Sequence, residues 1–121
     1  MDKYTKAVLT VIALCVVALP VKAEEKVYYC RTTGYSDVSV DGITEYKPEN
    51  FKFKVTPTEI VFGSGGFFNK ERKEIKNFSN FNLFTTYDEW SILAFYDGVF
   101  SYGIVLLGNK LIAMTARCDD F

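Results

Sequence analysis

The chain has 121 residues, 14 basic and 15 acidic side chains, and a net charge of −1, which is the size of one domain. This balance provides neither the basic surface that nucleic acid requires nor a polybasic segment for anionic lipids. The sequence contains no histidine, the commonest general base and metal ligand. We therefore expect no nucleic-acid partner, no metal and no other cofactor.

The first 23 residues have the pattern of a secretory signal peptide. Lys3 and Lys6 precede an apolar run at 7–21, and the small residue Ala23 stands directly before two glutamates. A basic start, an apolar middle of about 15 residues and a small residue at the exit are typical of such a signal. We expect cleavage after Ala23, which leaves residues 24–121 as a single all-β domain that is periplasmic or secreted.

There are two alternatives for this N-terminal segment. A permanent membrane anchor needs about 20 apolar residues, whereas this run is shorter and contains Pro20. Lipidation would require a cysteine in a small-residue context, and Cys15 follows Leu14. We therefore predict that no membrane span remains after signal cleavage.

Two cysteines, Cys30 and Cys118, remain in the predicted mature chain. An even count in a small exported protein predicts a disulfide, which would close a loop spanning 88 residues. The alternative is a reactive thiol pair, but such pairs usually lie close together, as in Cys-X-X-Cys. We therefore predict a structural disulfide.

Aromatic and β-branched residues come in short runs separated by Gly, Pro, Asn and Asp. This pattern predicts an antiparallel all-β meander of about seven strands, forming a barrel or compact sandwich. The predicted strands are 26–33, 51–55, 59–62, 81–87, 90–96, 99–107 and 110–118.

Three polar stretches separate these strands. Residues 34–50 are predicted to be a long loop with a turn at Asp41-Gly42, and 63–66 a flexible glycine-rich bend. The stretch 69–80 contains helix-forming charged residues, so it is predicted to be either a single helical turn or a solvated loop.

The last three predicted strands are apolar on both faces. Trp90 and Ile92 lie on one side of the strand 90–96, and Leu93 lies on the other. The outer face is either covered by loops in a closed sheet or forms an exposed patch that binds a partner. The second alternative predicts an uncovered patch around Leu93, Phe95, Val105 and Leu107.

No catalytic constellation is visible in the sequence. A serine or cysteine nucleophile would lack a histidine base, and adjacent acidic pairs such as Asp88-Glu89 point to opposite faces of a strand. We therefore predict a protein that binds and does not catalyse.

The residues Tyr28-Tyr29-Cys30, the distant Cys118 and the mid-sheet Trp90 resemble the C-type lysozyme inhibitors of the bacterial envelope. That resemblance implies a small exported antiparallel barrel that blocks lysozyme with a Ser-Gly-X-X-Tyr loop. The corresponding residues here, with Phe68 in place of the tyrosine and a longer segment after it, are Ser64, Gly65, Gly66, Phe67 and Phe68. Together with Trp90, these are the candidate binding residues.

Three binding roles follow from these features. An envelope inhibitor needs the loop at 64–68 exposed, and a carrier of a small apolar ligand needs an internal cavity. A docking subunit needs an uncovered apolar face. The sequence leaves the partner, either a protein or a small apolar ligand, unidentified.

Overall fold

The computed structural model describes residues 24–107 and 109–120, so the predicted signal peptide at 1–23 lies outside it, as do Gly108 and Phe121. The described residues form one antiparallel sheet, which confirms the predicted all-β class, with ten strands in place of about seven. Among them, no helix is long and apolar enough to cross a membrane. The strands are β1 (Lys26–Ser39), β2 (Gly42–Glu45), β3 (Asn50–Val55), β4 (Glu59–Phe62), β5 (Arg72–Glu74), β6 (Asn77–Asn80), β7 (Leu83–Tyr87), β8 (Ser91–Tyr96), β9 (Val99–Leu106) and β10 (Lys110–Asp120).

The sheet is curled into a half-barrel by its connections. Its strand order is β5-β4-β3-β1-β10-β9-β8-β7-β6, and β2 pairs with the second half of β1 beside this path. β5 and β6 end the path but are joined in the chain by Ile75 and Lys76 alone. The Ile75 N–H donates to the Thr58 carbonyl at 2.9 Å, and the Lys76 N–H donates to the Thr85 carbonyl at 3.0 Å. The two ends of the sheet therefore meet at these two residues.

The inner face of the curl is filled by aromatic side chains. In β3 the residues alternate between buried and exposed, as predicted, because successive side chains on a strand point to opposite faces. Phe53 lies at the centre, with its ring centroid 5.8 Å from Phe95 and 6.0 Å from Phe100, and all three rings are buried. Tilted and edge-on ring pairs at these distances are favourable beyond the area that they bury.

The strand pair β1–β10 joins the beginning and the end of the described chain. Cys30 lies directly opposite Cys118 in this pair and forms a disulfide with it, which confirms the predicted bridge. The bridge therefore links two central strands whose residues are 88 positions apart.

A β-bulge between Thr32 and Gly34 changes the register of β1 against β10. Before the bulge, even-numbered residues such as Thr32 face inward, and after it odd-numbered residues such as Asp37 do. The Thr33 hydroxyl lies 2.9 Å from the Thr115 hydroxyl at this point. The bulge thus turns Asp37 inward and Val38 outward.

The predicted loop at 34–50 was wrong over most of its length. β1 continues to Ser39, the turn lies at Val40 and Asp41, and Gly42 begins β2. The Tyr46 hydroxyl donates to the inward Asp37 carboxylate at 3.1 Å, and this contact helps to hold the extended hairpin. The bulge interrupts the apolar–polar alternation, which is why the sequence pattern failed here.

The stretch 69–80 contains two short strands, β5 and β6, where a helical turn or a solvated loop was predicted. Both are end strands of the sheet and are mostly exposed, so they tolerate charged residues that are also good helix formers. Pairing with β4 and β7 overrides the local helical preference.

Reduction of the Cys30–Cys118 disulfide should lower the melting temperature by at least about 15 °C. A loop of this length contributes about 4–5 kcal/mol in the chain-entropy account, and about 1 kcal/mol corresponds to 4–8 °C in a domain of this size. Circular dichroism melts of the oxidised and reduced protein measure the shift. The Cys30→Ser/Cys118→Ser variant should melt at the temperature of the reduced protein, and reductant should not change that temperature. An unchanged melting curve of the wild-type protein after verified reduction would contradict a stabilising bridge.

Candidate functional site

The loop that follows β4 is anchored in the core by two phenylalanines. Phe68 is 1% exposed and stacks on Phe62 with ring centroids 4.2 Å apart. Phe67 is half-buried, and its N–H donates to the Glu49 carboxylate at 3.1 Å. These predicted binding residues therefore point inward and hold the loop against the sheet.

The glycines of this loop form a tethered bend. Gly65 and Gly66 have φ angles of 88° and 74°, which favour glycine. The Gly65 N–H donates to the Asn69 side-chain oxygen at 2.7 Å, and Ser64 is left exposed. A role of this loop in blocking lysozyme stays a prediction.

Trp90 lies in the turn between β7 and β8 and is 52% exposed. The Asp88 carboxylate shapes this turn, because it accepts from the N–H groups of Trp90 and Ser91, each at 2.8 Å, and from the Ser91 hydroxyl at 2.9 Å. Trp90 and Ser64 line separate depressions of the surface. The two predicted contact regions are therefore not parts of one site.

The predicted apolar patch was assigned partly to the wrong face. Leu93 and Phe95 are 1% and 0% exposed and face the core, whereas Val105 and Leu107 are exposed as predicted. Because β8 is apolar on both sides, its sequence gives no sign of which row faces inward. The outward row of β8 contains Ile92.

Exposed apolar side chains form a continuous row across four neighbouring strands and the turn before β8. Val38 lies opposite Leu111, and Leu111 lies opposite Val105. Ile43 extends the row onto β2, and the Val105 N–H donates to the Trp90 carbonyl at 2.8 Å at the other end. We call this row the apolar ridge, and its five residues are Ile43, Val38, Leu111, Val105 and Trp90. With strands spaced about 4.8 Å apart, the ridge is roughly 19 Å long.

A shallow groove of about 470 Å³ lies beside the apolar ridge. Within the part of the chain that the structure describes, its lining contains no charged side chain. We call it the small-residue groove, because small residues from four strands form its floor. These residues are Gly34, Ser36, Ala94, Ser101, Gly103 and Ala113. These positions are two and four residues along the strands from the ridge, so ridge and groove are parallel bands on one outer face.

Turn residues extend the exposed apolar surface at one end of the sheet. Val40 and Leu107 are 82% and 87% exposed, and Leu106 is also exposed. They border the same depression as the apolar ridge. The ridge, these three residues and Ile92 expose on the order of 1,000 Å² together, more than the few hundred Å² of one patch on a typical monomer.

The sequence reasoning missed three members of the apolar ridge, Val38, Ile43 and Leu111. Two of them lie in the segment that was assigned to a loop, and their alternation with polar neighbours on either side of Asp41-Gly42 is a hairpin pattern that could have identified them.

Comparison with protein-family models, with curated proteins and with solved structures found no match. Within residues 24–107 and 109–120, no group of three or more Cys, Asp or Glu side chains is placed to hold a metal ion.

Acidification should change the environment of Trp90 below about pH 4. Hydrogen bonds from the Trp90 N–H, the Ser91 hydroxyl and the Ser91 N–H hold the pKa of Asp88 below its usual value. The stabilisation of this turn is therefore complete above the ordinary aspartate pKa and is lost as the pH falls through the lowered one. Fluorescence of the single tryptophan measures the transition.

Two variants test the assignment to Asp88. Asp88→Asn should remove the acid transition of the fluorescence, whereas Glu89→Gln, at the neighbouring carboxylate, should keep it. An identical transition in Asp88→Asn would show that another group controls the turn.

Proposed function

We propose that this chain is a non-catalytic binding domain that acts by self-association through its outer face, in an oxidising compartment outside the cytoplasm. The observation that carries the proposal is the apolar ridge lying beside the uncharged small-residue groove. A disulfide is compatible with such a compartment, and the predicted signal peptide supports export.

The packing of the interior favours the outer face over an internal ligand site. Phe53, Phe84 and Phe95 meet at the centre of the half-barrel, with Phe84 stacked on Phe95 at 4.9 Å. Their side chains fill the space that a small barrel would otherwise offer to an apolar ligand. The groove by contrast is open to the surface.

The size of the exposed apolar surface suits a second copy of this chain. A standard specific interface buries about 800 Å² on each partner, and the apolar ridge with its neighbours exposes on the order of 1,000 Å². Association through this face would remove that area from water, which is the dominant favourable contribution to protein association.

The outer face is also self-complementary in shape. A dimer with two-fold symmetry uses the same patch on both copies, so the patch must fit itself. An axis parallel to the two bands and midway between them would seat the ridge of each copy in the groove of the other. Leu111 of one copy would then lie near Ala113 of its partner, with no charged side chain among the described residues of the groove to desolvate.

Ala113→Arg should convert a dimer into a monomer. A guanidinium in the small-residue groove blocks the ridge and would be buried without a partner, which weakens association by about 100-fold or more. Sedimentation equilibrium between 1 and 100 μM measures the dissociation constant of the mature protein. Ser79→Arg, which adds the same side chain on the exposed strand β6, should leave the dimer intact.

Two outcomes would overturn self-association through this face. The first is a wild-type protein that stays monomeric at 100 μM, in which case co-sedimentation with lipid vesicles would identify a membrane as the occupant instead. The second is an Ala113→Arg variant that still dimerises, because the copies would then meet through another surface.

A further inference from the structure

Two arginines lie directly opposite each other on the outer face at the other end of β1 and β10. Arg31 pairs with Arg117 in the β-ladder, and both side chains are exposed. Among the described residues, neither has a carboxylate within ion-pair distance, and the contact of Arg31 is a 3.4 Å hydrogen bond to the Asn50 side chain. Like charges that face each other across two strands destabilise a sheet.

These arginines line a cleft of about 460 Å³ that also contains Lys52 and Ser64. Lys52 comes from β3, beside β1, and Ser64 comes from the loop after β4. Among the described residues of the lining, the one acidic side chain is Asp119, so their charged side chains sum to +2.

The loop is shaped to let Lys52 lie beside it. The Gly63 N–H donates to the Lys52 carbonyl at 2.9 Å. A Cβ atom on Gly63 would lie 2.8 Å from both Cγ and Cε of Lys52, closer than real contacts allow. Glycine at 63 therefore allows the lysine stem to run along the loop backbone.

We propose that this cleft binds a tetrahedral oxyanion group, a phosphoryl or sulfuryl group. Two guanidinium groups each offer paired N–H donors that match such oxygens, and Lys52 adds a third cation. The Ser64 hydroxyl supplies a neutral donor. These four donor groups come from β1, β10, β3 and the loop after β4, and they exceed what the two oxygens of a carboxylate accept well.

Binding of this anion also relieves the repulsion between Arg31 and Arg117, so it stabilises the folded protein. The residues that line the cleft are distinct from those of the apolar ridge and the small-residue groove. Its test is therefore independent of self-association.

The experiment measures the melting temperature against inorganic phosphate or sulfate from 0 to 50 mM, with sodium chloride adjusted to constant ionic strength. Wild-type protein should melt several degrees higher at 50 mM. Without phosphate, Arg117→Gln should melt at a higher temperature than wild type, because the repulsion between the two arginines is gone. The rise in its melting temperature with phosphate should be about ten-fold smaller than that of wild type. Lys52→Gln should also lose response, whereas Arg72→Gln, at an arginine outside the cleft, should respond as wild type does.

Glycerol phosphate and phosphatidylglycerol vesicles then identify whether the group is carried by a soluble ester or a lipid. An equal rise with sodium acetate or with added sodium chloride would overturn the oxyanion site, because simple screening would explain it. An Arg117→Gln variant that keeps the full phosphate response would overturn it as well.

Discussion

The pairing of β1 with β10 is the contact on which the rest of the sheet depends. These two strands are far apart in sequence, yet their ladder runs from Tyr28 to Val38 and carries the Cys30–Cys118 disulfide near one end. β3 and β9 add to its two sides, and the remaining strands continue outward until the sheet ends meet at 75–76. Loop closure over such a separation is costly in chain entropy, so a covalent link between these strands stabilises the fold by constraining the unfolded chain.

The bulge in this pair divides the outer surface into two chemically different regions. On one side of it, Arg31 and Arg117 face each other in the cationic cleft. On the other side, Val38 and Leu111 belong to the apolar ridge. The same register change turns Asp37 inward, where the Lys110 ammonium lies 3.1 Å from its carboxylate. A single extra residue in β1 therefore decides which side chains both proposed binding surfaces present.

Local sequence patterns were enough to predict the fold class, whereas the pairing of distant strands determines which side chains lie on the outer face. The alternation in Phe51–Val55 and the cysteine count were enough for β3 and the disulfide. Because the inward-facing positions of β1 change from even to odd numbers at the bulge, the sequence pattern did not identify the second half of this strand. β8 is apolar on both faces, so nothing in its own sequence indicates that Leu93 faces the core. The cationic cleft could not be predicted, because Lys52 reaches the two arginines only through strand pairing.

Cross-strand NOEs between backbone protons of β1 and β10 in the oxidised protein test the register of this strand pair most directly. We expect NOEs between Arg31 and Arg117 before the bulge and between Asp37 and Ile112 after it. One unbroken register from Arg31 onward would instead put Asp37 opposite Leu111. That result would turn Val38 inward and contradict the division of the outer face.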